Sequence, residues 1–129
     1  MIICLFGVTY RNGHSRELER SLDTMLQPQL GAIPGFLSLH TYTATSGEVL
    51  GVVRFTTHEA LEAWRNDAVH RSVWKHAPEI YESFWIQNCE TYREYYWIRT
   101  RGRTSEDMNQ RFERDPANLI PRSDAPDLG

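Results

Sequence analysis

One stretch of the chain sets an imidazole among aromatic side chains at helical spacing. His70, Val73, Trp74, Ala77, Ile80 and Tyr81 recur at gaps of three and four residues, which puts them on one side of a helix. Arg71, Lys75, Glu79 and Glu82 fall on the other side. His70 is the candidate catalytic base, because an ordinary imidazole pKa of about 6.5 leaves the neutral ring able to take a proton near neutral pH. Trp64 and Trp74 offer flat apolar walls, and Asn66 and Tyr81 offer hydrogen bonds to the oxygens of an aromatic ligand. On the strands His40 and Tyr42 share a side with Ser38 and extend the binding set, as does Trp85. The structural alternative for each is core packing. No metal site is expected, since His70 and His76 are six residues apart and a helix does not bring such a pair to one ion. His14, His58 and His76 receive no role.

The elements that must position these groups read as β-α-β-β-α-β. Residues 1–10 are a nearly continuous apolar run, the pattern of a strand covered on both faces, ended by the turn Arg11-Asn12-Gly13. From Ser15 the residues Leu18, Leu22, Met25, Leu26 and Leu30 follow helical spacing, with Arg16, Glu17, Glu19, Arg20 and Asp23 facing water. Pro28 predicts a kink or an end near Gln27. Residues 36–44 alternate, with Phe36, Ser38, His40 and Tyr42 on one side, and Ser46-Gly47 turns the chain into a strand over 48–55. Thr56-x-x-Glu59 has the spacing of a capping box for a short helix that breaks at Asn66-Asp67. The His70 helix follows, and Pro78 bends or restarts it. Residues 83–98 form the longest strand. Its length suggests that its far end pairs with another subunit. After Arg99 the chain turns Pro-rich and charged. A helical turn capped by Ser105 is predicted near 105–114, within an arm that is either loosely ordered or anchored on a partner by Phe112, Leu119 and Ile120.

This order is the ferredoxin-like plan, an α+β fold with an antiparallel sheet carrying its helices on one face. The expected division is a domain over 1–98 and an arm over 99–129. At 129 residues, 40% hydrophobic and 24% charged, the chain has the makings of one core. A net charge of −3 with scattered Lys and Arg argues against nucleic acid as a partner. The apolar opening is too short for a membrane span and lacks a basic leader, so a cytoplasmic protein with no membrane association is expected. Cys4 and Cys89 both fall in strands and read as free buried thiols, with a disulfide between them as the alternative.

The opening MIICLFGVTYRNGH, the segment Ile33-Pro34-Gly35-Phe36-Leu37-Ser38, the run Glu62-Ala63-Trp64-Arg65-Asn66 followed by His70-Arg71, and the closing strand from Tyr81 to Tyr95 together resemble antibiotic biosynthesis monooxygenase domains. The resemblance covers roughly residues 1–97. It implies a homodimeric α+β barrel in which each subunit keeps a cavity between helices and sheet. The implied activity is cofactor-independent monooxygenation of an electron-rich aromatic of the polyketide type in secondary metabolism. The alternatives are a non-catalytic ligand-binding or accessory dimer and an isomerase or cyclase on the same scaffold. In the haem-degrading branch, an asparagine on the first strand, a tryptophan on the middle helix and a histidine ligand on the next helix hold the cofactor. This chain has Gly7, Trp64 and Trp74 there, so haem is disfavoured and no cofactor is expected.

Overall fold

The computed structural model describes residues 1–99, 102–104 and 112. Strands β1 (Ile2–Tyr10), β2 (Phe36–Thr43), β3 (Val49–Phe55) and β4 (Tyr81–Glu90) form one antiparallel sheet in the order β2-β3-β1-β4. Helix α1 (Arg16–Gly31) follows β1. Helices α2 (His58–Arg65), α3 (Ala68–Trp74) and α4 (Ala77–Ile80) lie between β3 and β4. The fold is ferredoxin-like, with the second helix in three pieces. The core gathers at the Ile2 end of the sheet, where Ile2, Leu30, Val53, Phe55, Leu61 and Trp64 pack together.

Local chemistry explains most boundaries. Ser15 caps α1 by accepting from the Leu18 amide at 3.1 Å. The capping residue of α2 is Thr57, which accepts from Ala60, rather than Thr56. Pro28 does not end α1, which runs on to Gly31. A proline removes only its own amide, and the Pro28 carbonyl still takes the Ala32 amide at 3.1 Å. Pro78, in the first turn of α4, restarts a helix where the missing donor costs nothing.

Strand β4 stops at Glu90, shorter than the pattern over 83–98 suggests. Glu90 pairs with Ile2, and the Thr91 amide bonds the Met1 carbonyl at 3.0 Å. Tyr96–Ile98 then forms β5, which pairs with β6 (Gly102–Thr104) in a separate two-stranded sheet. That hairpin spans the expected domain boundary. The helical turn expected over 105–114, and Leu119 and Ile120, lie outside the described residues, except that Phe112 is helical and buried. Its ring sits 4.1 Å from the Arg54 guanidinium and close to His40, on the sheet face away from the helices.

A bulge in β2 decides which side chains reach which face. Phe36 pairs with Phe55 but Ser38 pairs with Arg54, so the alternation slips one residue between them. Phe36 therefore packs into the helix-side core, whereas Ser38, His40 and Tyr42 point to the outer face. The entry to β2 is a tight turn in which the Phe36 amide bonds the Ile33 carbonyl at 3.0 Å and Gly35 takes φ +92. Pro34 and Gly35 thus supply the fixed and the left-handed φ of a type II turn. A Cβ on Gly35 would also stand 2.6 Å from Thr56 Oγ1 and 3.0 Å from Ala60 Cβ. Gly35→Ala is expected to lower the unfolding free energy by ~1–3 kcal/mol, read as a lower urea midpoint at unchanged slope.

Candidate functional site

The site begins with the break between α2 and α3. Asn66 closes α2: both its amide N–H and its side-chain Nδ2 bond the Glu62 carbonyl at 3.0 Å. Asp67 then caps α3, its Oδ1 accepting from the His70 amide at 2.9 Å. The turn leaves the Trp64 carbonyl without its usual helical donor. The Asp67 amide at 3.2 Å and the His70 Nδ1–H at 3.0 Å take that place. The imidazole is thereby laid on the Trp64 indole, ring centroids 3.9 Å apart and 13° from parallel.

One turn further, Trp74 Nε1–H donates to His70 Nε2 at 2.8 Å. A carbonyl only accepts and an indole N–H only donates, so the ring is the neutral Nδ1–H tautomer. Burial pushes the His70 pKa below its ordinary value, outweighing the Trp64 carbonyl and the Asp67 charge, which pull it up. The result is a neutral base whose lone pair is covered by an indole N–H.

Below these rings lies a cavity of about 510 Å³, within the range of small-molecule sites. Its floor is the helix-facing row of β1, Cys4, Phe6, Val8 and Tyr10, and its walls include Leu22 and Leu26 of α1 and Val73 of α3. His70, Trp64, Trp74 and Tyr81 all line it. Burial, with the Cys89 thiol on the neighbouring strand, pushes the Cys4 thiol up to about 11, so it stays protonated and is no nucleophile. Both cysteines are free, and they project from opposite faces of the sheet.

The other expected site residues lie elsewhere. His40, Tyr42 and Trp85 are on the outer face: His40 pairs with Val52, Tyr42 with Leu50 and Trp85 with Gly7, while Leu39 and Thr41 reach the cavity instead. The Trp85 indole fills the space a Cβ would take on Gly7, and its Nε1 donates to Glu48 at 3.1 Å. Asn66 is spent on the α2 cap.

The family model for antibiotic biosynthesis monooxygenases matches residues 1–75. The chain belongs to this family. Among curated protein sequences none matches it. Among solved structures, Rv0793 from Mycobacterium tuberculosis is similar at 16% identity over 73% of this chain and 98% of its own, with a TM-score of 0.60. A candidate antibiotic biosynthesis monooxygenase from Deinococcus radiodurans is 13% identical over 76% of this chain and 99% of its own, TM-score 0.60. A Bacteroides fragilis protein described as dimeric and ferredoxin-like is 11% identical, over 70% of this chain and 95% of its own, TM-score 0.50. At these identities the likeness is one of fold. No helix among the described residues is long and apolar enough to cross a membrane.

Two of the three positions that the resemblance ties to haem carry other residues here. Gly7 lies on the far face of the sheet under Trp85, and Trp74 stands where the resemblance places the ligand. Among the described residues His70 is the one imidazole on the cavity wall, and both its nitrogens are committed. His76, six residues on, bonds Glu79 at 2.6 Å and does not line the cavity.

Sequence reasoning missed the other polar end of the cavity. Glu19 and Asp23, expected to face water, both line it, and so does Tyr10. The signal was available: Glu19 stands three residues before Leu22 and seven before Leu26, on the inward stripe of α1. His14, given no role, stacks on Tyr10 at 4.8 Å and holds Glu19 at 2.9 Å.

His70 is expected to titrate below 6.5 by NMR, and Trp74→Phe to raise that value, because a donor to Nε2 is lost and water gains access. The folded pKa lies under the unfolded one. The ring's contribution to stability is therefore complete above about 6.5 and is lost as pH falls from there through the folded value. Urea unfolding at pH 7.5 and 5 should show wild type losing more stability than His70→Gln.

Proposed function

We propose that the chain is an oxygenase that oxidises an electron-rich, elongated hydroxyaromatic with molecular oxygen, without metal or flavin. The observation that carries this reading is the Trp64–His70–Trp74 cluster, His70 stacked on one indole and edge-on to the other, opening onto a largely apolar cavity of about 510 Å³. The floor from Cys4 to Tyr10 covers six residue rises, roughly 20 Å, which suits a fused polycycle better than a single ring.

A substrate hydroxyl would replace Trp74 Nε1–H as the donor to His70 Nε2. Transfer of its proton gives an electron-rich anion that can pass an electron to molecular oxygen, a step a closed-shell phenol resists. For an anthrone-type carbon, one ring methylene and one molecule of oxygen become one ketone and one molecule of water. The carbon gives up four electrons and both its hydrogens. One oxygen atom becomes the carbonyl, and the other leaves as water with the two hydrogens. Trp64 is the platform that fixes the imidazole, since one face of its indole is already covered by that ring. Trp74 is both wall and gate, and Tyr81 is placed to bind a substrate oxygen. Asn66 contributes only by closing α2.

A homodimer is part of this proposal. The outer sheet face leaves Tyr42 55% and Trp85 37% exposed, an apolar surface that a second copy would cover. The dimeric Bacteroides fragilis protein of similar fold supports it.

Oxygen uptake with a panel of anthrones and naphthohydroquinones tests the oxygenase. His70→Ala is expected to lower kcat/KM by ~10²–10⁴. Trp74→Phe should keep turnover and move the acid limb of the pH profile upward. Unchanged turnover in His70→Ala would remove the base. The second reading is a non-catalytic ligand-binding dimer, favoured by the covered lone pair on His70. Tryptophan quenching by these aromatics with no oxygen consumed would establish it.

A further inference from the structure

His70 lies on Trp64, at the end of the cavity where that indole packs with Ile2 and Cys4 at the start of β1. The other end is built around Tyr10, at the close of the same strand, and carries its own polar machinery. His14 lies there with both ring nitrogens facing acceptors: Nδ1 is 3.2 Å from the Arg11 carbonyl and Nε2 is 2.9 Å from Glu19 Oε2. A carboxylate only accepts, so Nε2 must carry the hydrogen of that bond. The pair is well shielded, with side chains 12% and 17% exposed. The His14 ring is further fixed by lying nearly flat on Tyr10, 20° from parallel, and Tyr10 in turn meets Tyr81 at 5.6 Å.

Two features set Glu19 apart from a carboxylate that merely steadies the first turn of α1. It lines the hollow rather than the solvent face, and His14, which does not itself line the hollow, holds it from behind. Positioning of a binding group by a second side chain is how a rigid polar anchor is made. Asp23 and Arg71 line the same cavity, so charges of both signs are present around it.

We propose that Glu19, positioned by His14, is a second substrate anchor that accepts a hydroxyl at the end of the cavity remote from Trp64. The inference rests on the oxygenase reading for its premise that the cavity holds a hydroxyaromatic. It adds that the ligand carries hydroxyls on both terminal rings, because His70 Nε2 and Glu19 are both acceptors and each selects a donor. A ligand with a single hydroxyl leaves one of these two acceptors unmatched by the ligand. A second hydroxyl adds a charge-assisted hydrogen bond to Glu19 beside the one His14 already makes, so the anchor discriminates as well as binds.

The test uses ligands that are already oxidised and do not consume oxygen. Calorimetric titration of the full chain with 2,6-dihydroxyanthraquinone and with 2-hydroxyanthraquinone should show the former binding ~10-fold tighter, the range of a hydrogen bond to a charged group. Glu19→Gln should bring that ratio below about threefold, with a near-UV circular dichroism spectrum that matches wild type reporting an intact fold. His14→Gln should fall between. Should Glu19→Gln not fold, Glu19→Asp, which withdraws the carboxylate by one methylene, should lose the preference in the same way. Equal affinities in wild type, or an undiminished ratio in the Glu19 variants, overturns the anchor. Because these quinones are not turned over, a preference that depends on Glu19 stands even if no oxygen uptake is found. Oxygen uptake without the preference removes the anchor alone.

Discussion

The carbonyl oxygen of Trp64 is the constraint from which the site follows. In an unbroken helix it would accept the amide four residues on. Here Asn66 ends α2, Asp67 begins α3, and the carbonyl takes the Asp67 amide and the His70 Nδ1–H instead. A half-buried carbonyl needs such donors, so the helix break and the tautomer of His70 are one requirement met twice. With Nδ1 spent on the backbone, Nε2 is the nitrogen left to the Trp74 side. With the ring lying on an indole, the cation loses its water and the neutral form is favoured. Sequence, backbone geometry and protonation state are linked here through a single oxygen atom.

The hollow beneath these rings has its own energetic logic. Helix α3 contains no fully buried residue although Val73 and Trp74 turn inward and line the cavity. A helix whose apolar side stays only partly covered is roofing a space, not filling one. That space of about 510 Å³ is partly open to solvent rather than sealed, so it carries no empty-cavity penalty. Such a space persists only when solvent or a ligand occupies it. The core at the Ile2 end, with Phe55, Val53 and Leu30, is where the fold secures its stability, and that leaves the Tyr10 end free for recognition.

Much of this could be read from the residues. Helical spacing set His70, Trp74 and Tyr81 on one side, and the break at Asn66-Asp67 was signalled by two residues that disfavour helix interiors and cap ends well. What escaped was set by pairing between distant segments. His40 and Tyr42 alternate correctly with Ser38, but only the ladder to β3, with its bulge after Phe36, decides that their shared side faces away from the helices. Trp85 is sent outward by its register with Gly7, a pairing 78 positions apart. Glu19 is hidden for another reason: its charge points to solvent, whereas its position on α1 points inward. A carboxylate on an apolar stripe is informative because it violates the pattern. The hydrogen bond that closes Trp74 over His70 joins positions four apart on α3. It was within reach of the sequence, yet its consequence for the lone pair needed the rotamers.

Magnitudes narrow what this base could ionise. A simple phenol titrates near 10 and the imidazole below about 6.5, a gap of at least 3.5 or so, which makes complete proton transfer unfavourable by ~5 kcal/mol. That penalty is tolerable within an enzymatic barrier but not for a substrate that offers nothing in return. Two things reduce it: acidity lent by a fused carbonyl-bearing ring system, and immediate loss of an electron to oxygen, which pulls the transfer forward. Both belong to electron-rich polycyclic hydroxyaromatics and neither to an isolated phenol. A stronger base at position 70 would be charged at neutral pH and unable to accept at all. The depressed pKa that makes His70 weak is thus the condition for its being available, and it restricts the proposed chemistry to substrates that meet it part way.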